Sequence, residues 1–226
     1  MGKVKVKKKD ARIDMTAMSD VTVLLLIFFL LTSTFLQKEP VTVITPESVS
    51  EDKVPDSKLM TVLVSPKGQV YMELIGTVDT TVMSSENLRK NALGKMCEKY
   101  NVKLTAKEVK DFSKMNSFGV PMKNLKQWLD LNSDDRDKAL KEGPGIPIAM
   151  TEYNGKTTEF QDWVKAVSEV MEAAGEAQDI RDGKGIAIKA DATTPYRMVE
   201  LVMNNLQSIN RNKFTLMTAL KKEEEK

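Results

Sequence analysis

Met15–Leu36 is a run of 22 residues in which Asp20 is the only charged side chain. As a helix at about 1.5 Å per residue it reaches roughly 33 Å, which matches a bilayer core of about 30 Å. Val21–Leu36 alone reaches only about 24 Å, so a spanning helix has to carry Asp20 in with it. The alternative leaves Asp20 at the watery edge of a helix too short for the core. A carboxylate inside a span costs about 2.5–3.5 kcal/mol on insertion scales, and such groups face a polar cavity or a partner. Thr16, Asp20, Leu24, Ile27, Leu31 and Thr34 recur at three- and four-residue steps and so fall along one helical stripe. A lone helix cannot shield that stripe from lipid, which predicts surrounding helices from another subunit. Asp20 is therefore the candidate functional residue. Thr16 and Thr34, on the same stripe, are supporting candidates.

The flanks set the expected orientation. Lys3, Lys5, Lys7, Lys8, Lys9 and Arg12 stand against a single acid, Asp10, in residues 1–12. That basic segment, 1–14, is expected to stay in the cytoplasm, with everything after Lys38 across the membrane. Phe35-Leu36-Gln37-Lys38 offers no small-x-small cleavage site, so the expectation is an uncleaved anchor rather than a signal peptide.

Composition narrows the chemistry. Lys and Arg total 34 against 32 Asp and Glu, and the net charge of +2 does not suggest a nucleic-acid surface. There is no histidine and one cysteine, Cys97. His-ligated metals, Cys-cluster zinc sites and Ser-His or Cys-His nucleophile pairs are excluded. No cofactor and no metal are expected, and no enzyme. Gly183-Lys184-Gly185 lacks the spacing of a phosphate-binding loop, and the 14 methionines are dispersed, as in adaptable packing rather than a copper site.

Beyond the span, residues 37–57 hold Pro40, Pro46 and Pro55 among scattered acids and read as an extended linker. At about 3.1 Å per residue it reaches roughly 65 Å, enough to bring a distal domain to the cell wall or to a partner. Residues 58–220 read as globular. Lys58–Val64 and Gln69–Ile75 flank Ser65-Pro66-Lys67-Gly68 as a hairpin, and Gly185–Ala190 reads as a strand. Thr194-Pro195 reads as an N-cap with proline at N1, before an apolar helical face of Met198, Val199, Val202 and Leu206. Phe214–Leu220 is a final strand or a short amphipathic end. Between them, about 77–184 reads as mostly helical: Glu86–Lys99, Thr105–Met115, Met122–Leu131 and Thr158–Ala174. Ser85-Glu86 and Ser133-Asp134-Asp135 are cap-like starts. Trp128 and Trp163 are expected in the core and Cys97 as a buried thiol. Residues 221–226, KKEEEK, form a solvated tail.

Ile13–Val21, followed by Leu24–Phe29 and Thr32–Phe35, resembles the ExbD/TolR family, whose pattern places a Thr four residues before a membrane aspartate and an apolar run after it. Where this chain has Ala17 the family commonly has proline. Ile186–Asp191, Pro195-Tyr196, Val199 and Val202-Met203 resemble the family's strand–acid–PY–helix stretch, in which Asp191 and Tyr196 are expected to serve the scaffold. The resemblance implies one N-terminal transmembrane helix (15–36) and a periplasmic α/β (α+β) domain, here enlarged by the helical insertion. It also implies a subunit of a proton-driven motor in the inner membrane of Gram-negative bacteria, single-pass, with its C-terminal domain in the periplasm. A dimer of such helices sits inside a pentamer of a multi-span ExbB-like partner. Proton flow through the pore powers a TonB-like protein that opens outer-membrane transporters, and the essential proton-carrying carboxylate corresponds to Asp20. Contact with peptidoglycan belongs to the same set of expectations.

Three alternatives remain open at the level of sequence. A TolR-like subunit would serve outer-membrane integrity. A MotB-type stator would need a peptidoglycan-binding domain that the sequence does not display. A membrane-anchored periplasmic binding or structural protein without ion flow would tolerate any apolar helix in place of residues 15–36.

Overall fold

The computed structural model describes residues 15–32, 43–48, 59–77, 83–149, 157–175 and 185–220. The chain divides into two compact units, Met1–Lys38 and Glu39–Lys226. In the first unit the apolar run forms helix α1, Met15–Thr32. It is long and apolar enough to cross a membrane, and none of its residues is buried within the unit. The end of the expected span, residues 33–36, lies outside the described residues.

The second unit is a mixed α/β domain. Its short strand β1 (Glu47–Ser48) is followed by β2 (Leu59–Val64) and β3 (Val70–Ile75), which pair antiparallel from Leu59 opposite Ile75 to Val64 opposite Val70. The turn between them is closed by the Gly68 N–H donating to the Ser65 carbonyl at 2.8 Å. Gly68 sits at φ +78° with Met198 packed against it, a position where a side chain would be strained and crowded. Helices α2 (Ser85–Tyr100) and α3 (Ala106–Ser113), strand β4 (Ser117–Phe118) and helices α4 (Met122–Leu129), α5 (Ser133–Glu142) and α6 (Glu159–Ala173) follow. Strand β5 (Ile186–Ala190), helix α7 (Tyr196–Ser208) and strands β6 (Thr215–Leu216) and β7 (Ala219–Leu220) complete the unit. The main sheet has the order β4-β3-β2-β5-β6, with β2, β5 and β6 mutually parallel. All six residues of β2 are buried. A central strand covered on both faces explains why LMTVLV is nearly continuous in apolar residues instead of alternating.

The insertion is part of the core, not an appendage. Phe112 of α3, Phe118 of β4 and Trp163 of α6 form an aromatic cluster with ring centroids 4.6–6.1 Å apart, and they belong to the same buried cluster as the sheet. β4 contributes an edge strand, so among the described residues of 77–184 the regular elements are helices with that one exception. Buried Arg89 on α2 ties the insertion to the sheet, donating to the carbonyls of Leu74 (3.2 Å) and Ser113 (3.0 Å). Burial lowers the pKa of this guanidinium, an effect that Glu73 and Glu86 partly offset. At the start of α6 a capping box joins Thr158 and Gln161. Thr158 Oγ1 and Gln161 Nε2 also reach Asn205 of α7, and Asn205 Nδ2 donates to the Ile148 and Leu201 carbonyls. This network fixes α6 against α7.

Several expected boundaries move, each for a local reason. The cap of α2 is Ser84, whose hydroxyl accepts from the Asn87 N–H, while Ser85 accepts from the Gly76 N–H at the end of β3. Asn132 rather than Ser133 precedes α5. Pro195 is itself the cap residue of α7, and the Thr194 hydroxyl turns to the Val64 carbonyl. Phe214–Leu220 is not one strand but two, β6 on the main sheet and β7 paired with β1. Within the expected linker, residues 43–48 lie on the domain. Val43 is buried, and β1 pairs in parallel with β7. Cys97 is half-buried rather than fully enclosed. The expected tail, 221–226, and Gly183-Lys184 lie outside the described residues.

Candidate functional site

Asp20 lies in the second turn of α1, between Ser19 and Val21. The helical pitch brings it onto one stripe with Thr16, Leu24, Ile27 and Leu31. Thr34, the third residue of that stripe to carry a polar group, lies outside the described residues. Two hydroxyls that sequence reasoning did not single out are also present in this helix. Thr22 Oγ1 donates to the Met18 carbonyl at 2.8 Å, and Thr32 Oγ1 donates to the Phe28 carbonyl at 2.7 Å. Such back-bonding lets a threonine sit in an apolar helix without an unsatisfied donor. No sequence signal marks this bonding, because the acceptor is the backbone carbonyl four residues earlier, whatever side chain stands there. The carboxylate of Asp20 therefore remains the one group in α1 whose charge the helix backbone cannot satisfy. It is an ionisable group, exposed within the unit, on a helix that is otherwise apolar.

In the distal unit, buried Asp191 follows β5 directly. Its Oδ1 accepts from the Thr193 hydroxyl (2.6 Å) and the Thr193 N–H (2.9 Å), and its Oδ2 accepts from the Ile44 N–H (2.8 Å). These bonds hold the carboxyl below the usual carboxylate range, with the Thr193 hydroxyl the largest cause, then the Thr193 and Ile44 N–H groups. The Ala192 N–H donates back to the Ile44 carbonyl at 2.8 Å. Asp191 is thus a clasp that attaches residues 43–44 to the end of the sheet, in keeping with its reading as scaffold. Tyr196, by contrast, is 71% exposed at the start of α7. Trp128 and Trp163 are buried, as their helical spacing suggests.

Two acids at the start of α6, Asp162 buried and Glu159 partly buried, have no counterpart among the expected sites. Asp162, its side chain fully buried, accepts from Lys99 Nζ (2.6 Å), the Tyr100 hydroxyl (2.9 Å) and the Thr157 hydroxyl (2.8 Å). Glu159 accepts the Met122 N–H at 2.8 Å and so caps α4 from another element, since the cap residue of α4, Pro121, supplies no side-chain bond. Burial pushes the Glu159 carboxyl up to about 7, with Asp162 adding to the rise and the Met122 N–H and Lys123 opposing it. Among the described residues no group of three or more His, Cys, Asp or Glu is placed to hold a metal ion.

A family model described as biopolymer transport protein ExbD/TolR matches residues 6–221, nearly the whole chain, including both α1 and the distal domain. No curated protein and no solved structure matches the chain.

Proposed function

The chain belongs to the ExbD/TolR family of biopolymer transport proteins, and on that premise we propose that it is the proton-motive-force transducing subunit of an ExbB–ExbD type inner-membrane motor that energises TonB-dependent outer-membrane transport. Asp20 carries the proton. The carboxyl alternates between neutral and ionised states as access changes between the two sides of the membrane. Moving one charge through 100 mV is worth about 2.3 kcal/mol, and that energy drives rotation of the helix within the partner ring. Thr16 and Thr34 offer hydroxyls to pore water beside it. The assembly is a dimer of this chain inside an ExbB-like pentamer, with residues 1–14 cytoplasmic, the span at 15–36 and the domain at 58–220 in the periplasm. A TonB-like protein receives the work.

The observation that carries this reading is a single ionisable side chain, Asp20, on an apolar helix long enough to cross a membrane. A helix of this kind needs a surrounding partner to shield the acid, and a motor gives the acid its use. The test is Asp20→Asn in the full chain, co-expressed with its multi-span partner. The variant is expected to fold and co-purify normally while energised uptake of a transported cargo stops. Wild-type uptake by the variant would defeat the assignment. Replacing residues 15–36 by a generic apolar helix is likewise expected to abolish uptake, whereas an anchor without ion flow would keep its function.

A further inference from the structure

Residues 85–126 carry ten Lys and Arg against four Asp and Glu, a net +6 in a chain whose total is +2. Part of this excess borders a groove between α2 and α3. Two hollows of about 460 and 710 Å3 share Lys90, Leu104 and Val109 and so form one continuous depression. Leu104, Val109 and Val102 are partly buried against the core and give it an apolar floor. Lys90, Lys103 and Lys110 are exposed at its edges, and no ion pair among the described residues engages them. Lys95 is already paired with Glu169 at 2.5 Å. Glu86 and Glu98 bracket the lining along α2, a length of about 18 Å at about 1.5 Å per residue, or roughly three turns of a facing helix.

Gly94 supplies an independent observation. It lies inside α2 and lines the larger hollow, and a Cβ placed on it meets nothing within 4 Å. An interior glycine weakens a helix relative to alanine. No contact within the chain requires this one, but its missing side chain leaves the helix backbone open to close approach. We infer that this groove is the docking site for an acidic amphipathic helix of a partner protein. The partner's carboxylates meet Lys90, Lys103 and Lys110, its apolar side chains cover Leu104 and Val109, and its backbone passes over Gly94. An anionic polysaccharide or lipid surface would suit the lysines but would leave the apolar floor uncovered. The inference stands apart from the motor reading, since it makes no use of Asp20.

The test uses the full chain in neutral detergent micelles and a fluorescent peptide of about four helical turns, Glu on one face and Leu on the other. Wild-type protein is expected to bind it saturably, and raised salt to weaken the binding. Lys90→Glu combined with Lys110→Glu should weaken it at least roughly tenfold, as oppositely charged contacts become repulsive. Gly94→Leu should weaken it comparably while leaving tryptophan fluorescence unchanged, because that position is open. A peptide with Lys in place of Glu should not bind. Failure of the wild type to bind saturably would overturn the proposal, and so would binding indifferent to the double charge reversal. Equal binding of polyglutamate, or of anionic vesicles, would overturn it too, by showing a charged surface that makes no use of the groove.

Discussion

Glu159→Gln isolates the energetic cost of one partly buried carboxyl in the distal domain. The wild-type side chain is displaced from its ordinary 4.5 to about 7, chiefly by burial. A group whose folded value is raised contributes its stability below the unfolded value and loses it as pH rises through the folded value. Here that window runs from pH 4.5 to about 7. At about 1.4 kcal/mol per pH unit the full displacement is about 3.5 kcal/mol, and solvent screening of this partly exposed group reduces it to about 2–3 kcal/mol once the domain stands well above that window. Glutamine keeps a carbonyl oxygen to accept the Met122 N–H that caps α4, so the substitution removes the charge and leaves the cap. The assay is urea unfolding of the full chain in micelles, followed by tryptophan fluorescence. Both tryptophans, Trp128 and Trp163, lie in the distal domain, so the signal reports that unit alone. Near pH 5 the two proteins should have nearly equal stability. Near pH 8.5 the variant should be more stable by about 2–3 kcal/mol. Other titrating groups cancel in the comparison. Equal pH dependence of the two proteins would refute the account of Glu159 as a partly buried acid carrying a desolvation cost.

Three further outcomes follow from the packing. Trp163→Ala empties the centre of the Phe112–Phe118–Trp163 cluster and should cost about 3–5 kcal/mol in the same unfolding assay. Arg89→Met leaves the Leu74 and Ser113 carbonyls without the donors that join insertion to sheet, and should cost about 2–4 kcal/mol. Asp191→Ala removes the clasp on residues 43–44, so the amides of Ile44 and Ala192 should exchange with deuterium faster while those of β2 stay protected. The lowered pKa of Asp191 also means that its contribution is present above the ordinary 3.8 and is lost as pH falls through the folded value. In wild type, exchange at Ile44 should therefore accelerate in strong acid.

The parts of this fold that are legible in the sequence are those with a long period or a special residue. α1 shows as a run with one charge. The hairpin shows because Ser-Pro-Lys-Gly separates two apolar runs. α6 shows because Phe160, Trp163, Val164 and Val167 recur at helical spacing behind a Thr-x-x-Gln box. β4 and β1 have two residues each and no period to read, and tertiary pairing alone makes them strands. The moved caps have the same cause: Ser85 and Thr194 are good capping residues, but Gly76 and Val64 claim their hydroxyls. Buried charge is the hardest to foresee. Arg89, Glu159 and Asp162 sit in segments that read as ordinary amphipathic helix, and only the neighbouring elements reveal that Arg89 and Asp162 are buried and that all three are partnered. Asp20 is legible for the opposite reason, because a single acid in hydrocarbon needs no neighbour to make it conspicuous.

The clasp at Asp191 also decides where tension on the chain enters the domain. A pull transmitted along the backbone from α1 meets residue 43 before it meets β2. The attachment there consists of buried Val43, the two hydrogen bonds between Ile44 and the 191–192 backbone and side chain, and a two-residue parallel pair between β1 and β7. β2 is held far more firmly, by six paired positions with β3 on one side and five with β5 on the other. The attachment at residues 43–48 is therefore expected to yield before the main sheet does.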